Sequence, residues 1–170
     1  MKRFALILLL AVTSIAAAAQ GSSAQALLKK IEGKRLSFEF SLTTADKVPV
    51  KHIGKALIEG KSYIISDNGA EIWCNGKVRW TVDNSAKEVY IEAPGEEEDM
   101  LISPEKLLGS VTKLIVGEAS ASGKYTGEGP AKGATFVLTS IKTSEPLGNG
   151  SEFTFNTGAL DSSWVITDLR

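Results

Sequence analysis

Strict alternation of apolar and polar residues constrains this chain more than any other feature. Between residues 36 and 43, every second residue is apolar, which places Leu36, Phe38, Phe40 and Leu42 on one face of a β-strand. A strand of this kind exposes one face to water, so its other face must be covered by apolar groups. The pattern therefore predicts a sheet with one buried face.

Several more strand-like runs follow, separated by short spacers such as Asp67-Asn68-Gly69. Spacers of this composition join antiparallel neighbours. We expect a mainly β fold with a few short helices, and we interpret the Gly- and Ser-rich residues 120–133 as a loop. The predicted strands after the first are residues 53–58, 62–66, 71–74, 77–82, 88–91, 134–141, 152–155 and 164–167.

Two short helices are predicted. Residues 24–31 have apolar side chains at helical spacing, and Gly33 follows as a stop signal. Residues 103–109 begin with Ser103 as a cap and Pro104 in the first helical position. Neither segment approaches the length of a membrane-spanning helix.

The Asn75-Gly76 pair predicts a tight hairpin. Both residues tolerate the positive φ that a two-residue type I′ turn requires. Pairing outward from this turn sets Trp73 opposite Val78, and Trp80 follows on the same face. The hairpin is therefore predicted to present one apolar side to a core or a cavity.

The N-terminus has the order of a secretory signal peptide. Basic Lys2 and Arg3 precede an apolar run, and small residues end at Ala19. We expect residues 1–19 to be cleaved near Ala19, leaving residues 20–170 as one domain. No cysteine lies near this point to carry a lipid anchor, so a released, periplasmic protein that does not span the membrane is expected.

Charge and cysteine content exclude some classes of function. The chain has 19 basic and 20 acidic residues, so it lacks the basic excess of a nucleic-acid-binding domain. Cys74 is the only cysteine and therefore cannot form an internal disulfide. Its place in an alternating stretch predicts a buried thiol.

No catalytic or metal centre is recognisable. His52 is the only histidine, and we interpret it as a solvated loop residue because no nucleophile motif accompanies it. A zinc site needs more His and Cys ligands than this chain has. The acidic residues 96–99 lack the spacing of a calcium loop and are interpreted as a solvated loop. We expect no enzyme activity, no metal and no cofactor.

The order of features resembles the outer-membrane lipoprotein carrier family (LolA-like). The resemblance rests on Lys61-Ser62-Tyr63, on the turn and strand at residues 75–80, on residues 87–91, on the Pro-led residues 103–108, on residues 153–156 and on the closing residues 168–170. These features follow the family's order over most of the chain. The chain is similar to a divergent and shortened member.

The resemblance implies an incomplete antiparallel barrel, or half-barrel, with helices covering its concave side. It also implies a periplasmic carrier that reversibly binds a lipid or a lipoprotein acyl chain in an apolar cavity. Envelope membrane proteins are possible partners, and a monomer is expected. The residues predicted to line the cavity are Leu36, Phe38, Phe40, Leu42, Tyr63, Trp73, Val78 and Trp80.

Two alternatives stay open from the residues themselves. Any half-buried strand has an apolar face of this kind, so these aromatic side chains can also form a closed core with no cavity. The chain can also be a non-catalytic protein-interaction or structural envelope domain that uses an exposed sheet edge.

Overall fold

The fold was obtained as a computed structural model that describes residues 22–95, 111–127 and 132–170. The predicted signal peptide, the acidic residues 96–99 and the predicted helix at residues 103–109 lie outside the described residues.

The described strands form one open ten-stranded sheet, so the protein is mainly β. Its strand order is β10-β6-β5-β4-β3-β2-β1-β9-β8-β7. Neighbouring strands are antiparallel except β10, which pairs with β6 in parallel. The strands are β1 (Arg35–Thr43), β2 (Lys51–Glu59), β3 (Ser62–Asp67), β4 (Ala70–Asn75), β5 (Arg79–Asp83), β6 (Glu88–Glu92), β7 (Val111–Val116), β8 (Ala121–Tyr125), β9 (Thr135–Ser144) and β10 (Val165–Asp168).

The sheet has a local half and a non-local half. Strands β1 to β6 are consecutive in the chain, and each pairs with the next. The other edge of β1 pairs with β9, which continues the sheet through β8 to β7. Strand β1 therefore lies in the interior of the sheet and joins the two halves.

The helices are short. Helix α1 (Ser22–Ile31) ends just before Gly33, the predicted stop, which has the positive φ of +66° common after a helix C-terminus. Two 3₁₀ helices, Gly150–Phe153 and Thr157–Ala159, follow β9. The predicted strand at residues 152–155 is therefore wrong, because the Asn149 side chain accepts a hydrogen bond from the Ser151 backbone N–H and starts a 3₁₀ turn there.

The loop predicted for residues 120–133 is also wrong in its first part, because it contains β8. A Cβ atom on Gly123 would lie 2.9 Å from both Phe136 and Val111. Glycine here permits close packing of β8 against its neighbours, so its presence does not signal a loop. Strand β7 was not predicted.

The hairpin between β4 and β5 has a longer turn than predicted. The Asn75 side-chain oxygen accepts hydrogen bonds from the backbone N–H groups of Lys77 and Val78. Trp73 therefore lies opposite Trp80, and the predicted pairing of Trp73 with Val78 is wrong. The shift is two residues, so each side chain keeps the face that the sequence assigned to it.

Two apolar cores lie on opposite faces of the sheet. The larger one, which we call the inner core, combines side chains from β1 to β4 and β7 to β9, and it includes buried Cys74 as predicted. The smaller one, the outer core, lies over β4 to β6. It consists of Trp80, Val82, Val89 and Ile91, with Trp73, Val78, Phe155, Leu160 and Trp164 packed against them.

Candidate functional site

Five of the eight predicted cavity residues share the inner core. Leu36, Phe38, Phe40 and Leu42 are buried on one face of β1, as the alternation predicted. Tyr63 of β3 lies on the same face, because its register partner Ile58 is also the partner of Leu36. These five side chains are buried, between 1% and 7% exposed, and form a continuous part of the inner core, which we call the inner apolar face.

The other three predicted residues, Trp73, Val78 and Trp80, belong to the outer core. Trp73 pairs with Ile64 on β3, whereas the neighbouring Cys74 pairs with Tyr63. Since successive residues of a strand point to opposite faces, Trp73 and Tyr63 cannot line the same cavity. The eight residues therefore form two separate groups.

The outer core is covered by the chain after β9. The ring of Phe155 meets Trp73 edge to face, with 5.7 Å between centroids. Leu160 and Trp164 pack on the same core before β10 joins the sheet beside β6. The C-terminal segment therefore fills the space where a ligand would meet Trp80.

A buried polar pair ends the inner apolar face. His52 is 4% exposed and Asp67 is 3% exposed, and 2.8 Å separate Nδ1 of His52 from Oδ2 of Asp67. The other carboxyl oxygen of Asp67, Oδ1, has no hydrogen-bond partner among the described residues. Thr44, also buried, lies one residue beyond the end of β1.

The interpretation of His52 as a solvated loop residue is therefore wrong. His52 lies in β2 opposite Leu42, on the inner face of the sheet. The alternation of the sequence indicated this burial. His52 is an even number of residues from buried Ala56, and Asp67 is an even number of residues from buried Tyr63 and Ile65, so each points to the buried side of its strand. Two buried polar residues in phase with apolar ones indicate a mutual contact.

An ionic cluster fastens the C-terminal segment to the sheet, and sequence reasoning did not find it. Arg35 donates to Glu59 at 3.1 Å and to Glu152 at 2.7 Å, and its guanidinium carbon lies 5.7 Å from the ring centroid of Phe153. Hydrogen bonds with Glu152 raise the pKa of Arg35. The Glu59 carboxylate also accepts the backbone N–H groups of Leu147 and Gly148, at 3.1 and 2.7 Å.

We expect this cluster to release the C-terminal segment in acid. The Leu147 N–H, the Gly148 N–H and Arg35 lower the pKa of Glu59, and a hydrogen bond from Arg35 lowers the pKa of Glu152. A carboxyl group with a lowered pKa in the folded state stabilises the fold above its ordinary value of 4.5, and the stabilisation is lost as the pH falls through the lowered value.

Amide hydrogen exchange at pH 3 and pH 6 measures this release, after correction for the intrinsic pH dependence of exchange. Protection at Leu147, Gly148 and Thr154 should fall at pH 3, while protection within β3 and β4 is kept. In Glu59→Gln, the first two amides should lose protection at pH 6 as well. Equal protection factors at both pH values in the wild-type protein would show that the ionic cluster does not hold the segment.

A groove of about 380 Å³ lies on the outer face, beside the part covered by the C-terminal segment. Its floor includes Leu57 and Ile64, and Lys55 and Lys142 lie at its sides. The groove is open, and its apolar floor is small.

Among the described residues, no group of three or more His, Cys, Asp or Glu side chains is placed to hold a metal ion. In the same part of the chain, no helix has the length and apolar character needed to cross a membrane.

The fold and the candidate site define a class only coarsely: a mainly β protein with one open, mostly antiparallel ten-stranded sheet and an apolar core on each face. No protein-family model matches the chain, and no curated protein matches it significantly. Solved structures do match. One is the crystal structure of an uncharacterized conserved protein from Thermus thermophilus, with 8% identity over 86% of this chain and 99% of that chain, at a TM-score of 0.47.

Proposed function

We propose that this protein is a non-catalytic periplasmic carrier that reversibly binds the acyl chain of a lipid or lipoprotein against its inner apolar face. The proposal keeps the resemblance to the outer-membrane lipoprotein carrier family and narrows the site to Leu36, Phe38, Phe40, Leu42 and Tyr63. Trp73, Val78 and Trp80 are assigned to structural packing, because they belong to the smaller outer core, on the opposite face of the sheet from the other five.

The observation that carries the proposal is the size and continuity of the inner core. Seven of the ten strands contribute to it, and its buried residues are almost all aliphatic or aromatic. An acyl chain gains about 0.8 kcal/mol for each methylene group that it buries, so a core of this extent would suit a long hydrocarbon chain if the groups packed on it move aside. No directed polar contact is needed along such a chain.

In this proposal the sheet acts as a half-barrel, and α1 covers part of its inner side. Ile31, at the end of α1, packs against the inner core, and α1 contacts β7. The ligand would enter by displacing side chains or the helix from the inner apolar face. His52 and Asp67 would bound the inner apolar face at one end and place polar groups there.

Lipid extraction tests the proposal directly. Mature protein purified from its native envelope should release a stoichiometric lipid or acylated peptide that mass spectrometry detects. The purified protein should also take up a fluorescent fatty acid. A protein that carries no lipid and takes up no fatty acid would show that the inner apolar face is an ordinary closed core.

A pair of matched substitutions separates the inner apolar face from the outer core. Phe38→Leu removes ring contact from the inner face, and we expect about a tenfold weaker affinity for the fluorescent fatty acid, equivalent to about two buried methylene groups. Trp80→Phe makes a comparable change in the outer core and should leave the affinity unchanged. Thermal unfolding of both variants checks that each is folded during the titration. Equal losses in the two variants would contradict the assigned site.

A protein-interaction domain is the second candidate, and one observation favours it. Strand β7 is an edge of the described sheet, and its Ile115 is 70% exposed. A free edge strand can pair with an extended peptide. An empty protein that captures a defined envelope protein through β7 would support this function.

A further inference from the structure

A row of exposed aliphatic side chains crosses the outer face of the sheet. Ile115 of β7 pairs with Ser122, which pairs with Val137 of β9. Val137 then pairs with Ser41, which pairs with Ile53 of β2. The row therefore runs straight across five strands, on the side opposite the inner apolar face.

The three large side chains in this row are strongly exposed: Ile115 by 70%, Ile53 by 53% and Val137 by 47%. Val48, in the loop between β1 and β2, is 78% exposed. Single exposed apolar residues are common on protein surfaces, but here three large ones lie in one cross-strand row, with serines between them, and concentrate apolar groups on one face of the sheet.

Lysines lie on both sides of the row. On one side, Lys51 and Lys124 stand in the next cross-strand row, joined through Thr43 and Thr135. On the other side lie Lys55 and, one row further, Lys142. All four lysines are exposed.

These four ammonium groups have no ion-pair partner among the described residues. Two acidic residues lie on the same face of these strands: Glu39, the register partner of Lys55, and Glu59, which is bound to Arg35. The chain as a whole has a net charge of −1, so this excess of positive charge is local to the surface.

The chemistry of the surface distinguishes two kinds of partner. Protein interfaces are enriched in Tyr, Trp and Arg and depleted in Lys, whereas this surface combines aliphatic side chains with lysines. Aliphatic groups that enter the head-group region, flanked by lysines that contact lipid phosphates, are typical of proteins that lie on a bilayer.

We propose that the outer face of β7, β8, β9, β1 and β2 docks on the surface of a bilayer that contains anionic phospholipids. Ile53, Val137 and Ile115 enter the head-group region, and Lys51 and Lys124 contact lipid phosphates. The inner apolar face points away from the bilayer in this orientation. Docking on this face is therefore independent of whether an acyl chain binds inside.

Vesicle sedimentation tests the docking surface. Residues 20–170, which contain every described helix and strand, are mixed with phosphatidylcholine vesicles that hold 0 or 30% phosphatidylglycerol, in a low-salt buffer. We expect binding to the anionic vesicles that falls when the salt is raised to 0.5 M. A Lys51→Gln, Lys124→Gln variant should bind about 25-fold more weakly, at about fivefold for each lysine.

Matched variants show whether the effect belongs to this face. Lys29→Gln, Lys30→Gln removes the same charge from exposed positions on α1 and should leave binding unchanged. Ile53→Ser, Val137→Ser should weaken binding to the anionic vesicles, while Val165→Ser on β10 should not.

Three outcomes would overturn the proposal: no sedimentation of the wild-type protein with anionic vesicles, equal binding to neutral vesicles, or equal losses in the α1 control. The first outcome, together with salt-sensitive capture of an acidic protein that Lys51→Gln, Lys124→Gln abolishes, would assign the surface to a protein partner instead.

Discussion

Gly54→Ala should destabilise the protein more than the same change at Gly123, the other glycine within a described strand. A Cβ atom on Gly54 would lie 1.9 Å from the backbone oxygen of Ser66 and 2.6 Å from the ring of Phe40. The backbone oxygen belongs to β3, which pairs with β2 at this point, so it cannot move without breaking the sheet. We expect a loss of about 3 kcal/mol or more in the free energy of unfolding, at the upper end of the range for overpacking.

Urea unfolding measures this loss, and Gly150→Ala provides the control. A Cβ atom on Gly150 would meet no atom within 4 Å, so this variant should unfold close to the wild-type midpoint. The displaced Phe40 ring belongs to the inner apolar face, and weaker uptake of a fatty acid is expected in Gly54→Ala at temperatures where it remains folded. Equal midpoints for the two variants would show that β2 and β3 are less closely packed at Gly54 than the structure indicates.

Alternation predicted the strands of the local half of the sheet well. In β1 to β6, each side-chain face follows from the period of two, and the two-residue error at the turn after Asn75 did not change any face. The pairing of β1 with β9 and the parallel addition of β10 could not be predicted in the same way. They join residues that are distant in sequence, and no turn motif signals such a contact.

The sequence predicted only part of the candidate site, because the rest depends on contacts between distant residues. The period of two correctly grouped Phe38 with Phe40 and Trp73 with Trp80, but it gives no information on whether two such groups share a face of the sheet. Whether two strands present these groups on the same face depends on whether each connection between them has an odd or an even number of residues. A single residue more or less in the turn between β3 and β4 would exchange the faces of all the strands that follow.

Buried polar contacts were the other feature that the sequence analysis did not predict. A lone histidine in a sequence suggests solvent exposure, whereas His52 is buried because Asp67, fifteen residues away, satisfies one ring nitrogen. The partner is brought near by the β2–β3 hairpin. The sequence indicates this contact only through alternation: both residues occupy positions that point to the same side as their buried apolar neighbours.

Breaking the contact between His52 and Asp67 should have an effect of similar size. His52→Leu leaves the buried carboxyl group of Asp67 without its partner, and we expect a loss of about 3–5 kcal/mol in the free energy of unfolding, as for other buried pairs that lose one member. Asp67→Leu removes the buried carboxyl group and leaves the His52 ring without this hydrogen bond, and it should cost less, about 1–3 kcal/mol. Chemical unfolding of both variants measures the two losses.

The double variant decides whether the two residues act as a pair. His52→Leu, Asp67→Leu removes both polar groups and fills their space with apolar atoms, so its loss should be smaller than the sum of the single losses by about 1–3 kcal/mol. The exposed Asp168 and Arg170 pair, whose side chains meet at 2.6 Å, should show no resolvable coupling in the same cycle, because solvent screens both groups. Additive losses at His52 and Asp67 would mean that their contact does not stabilise the polar end of the inner apolar face, and that burial alone explains the single losses.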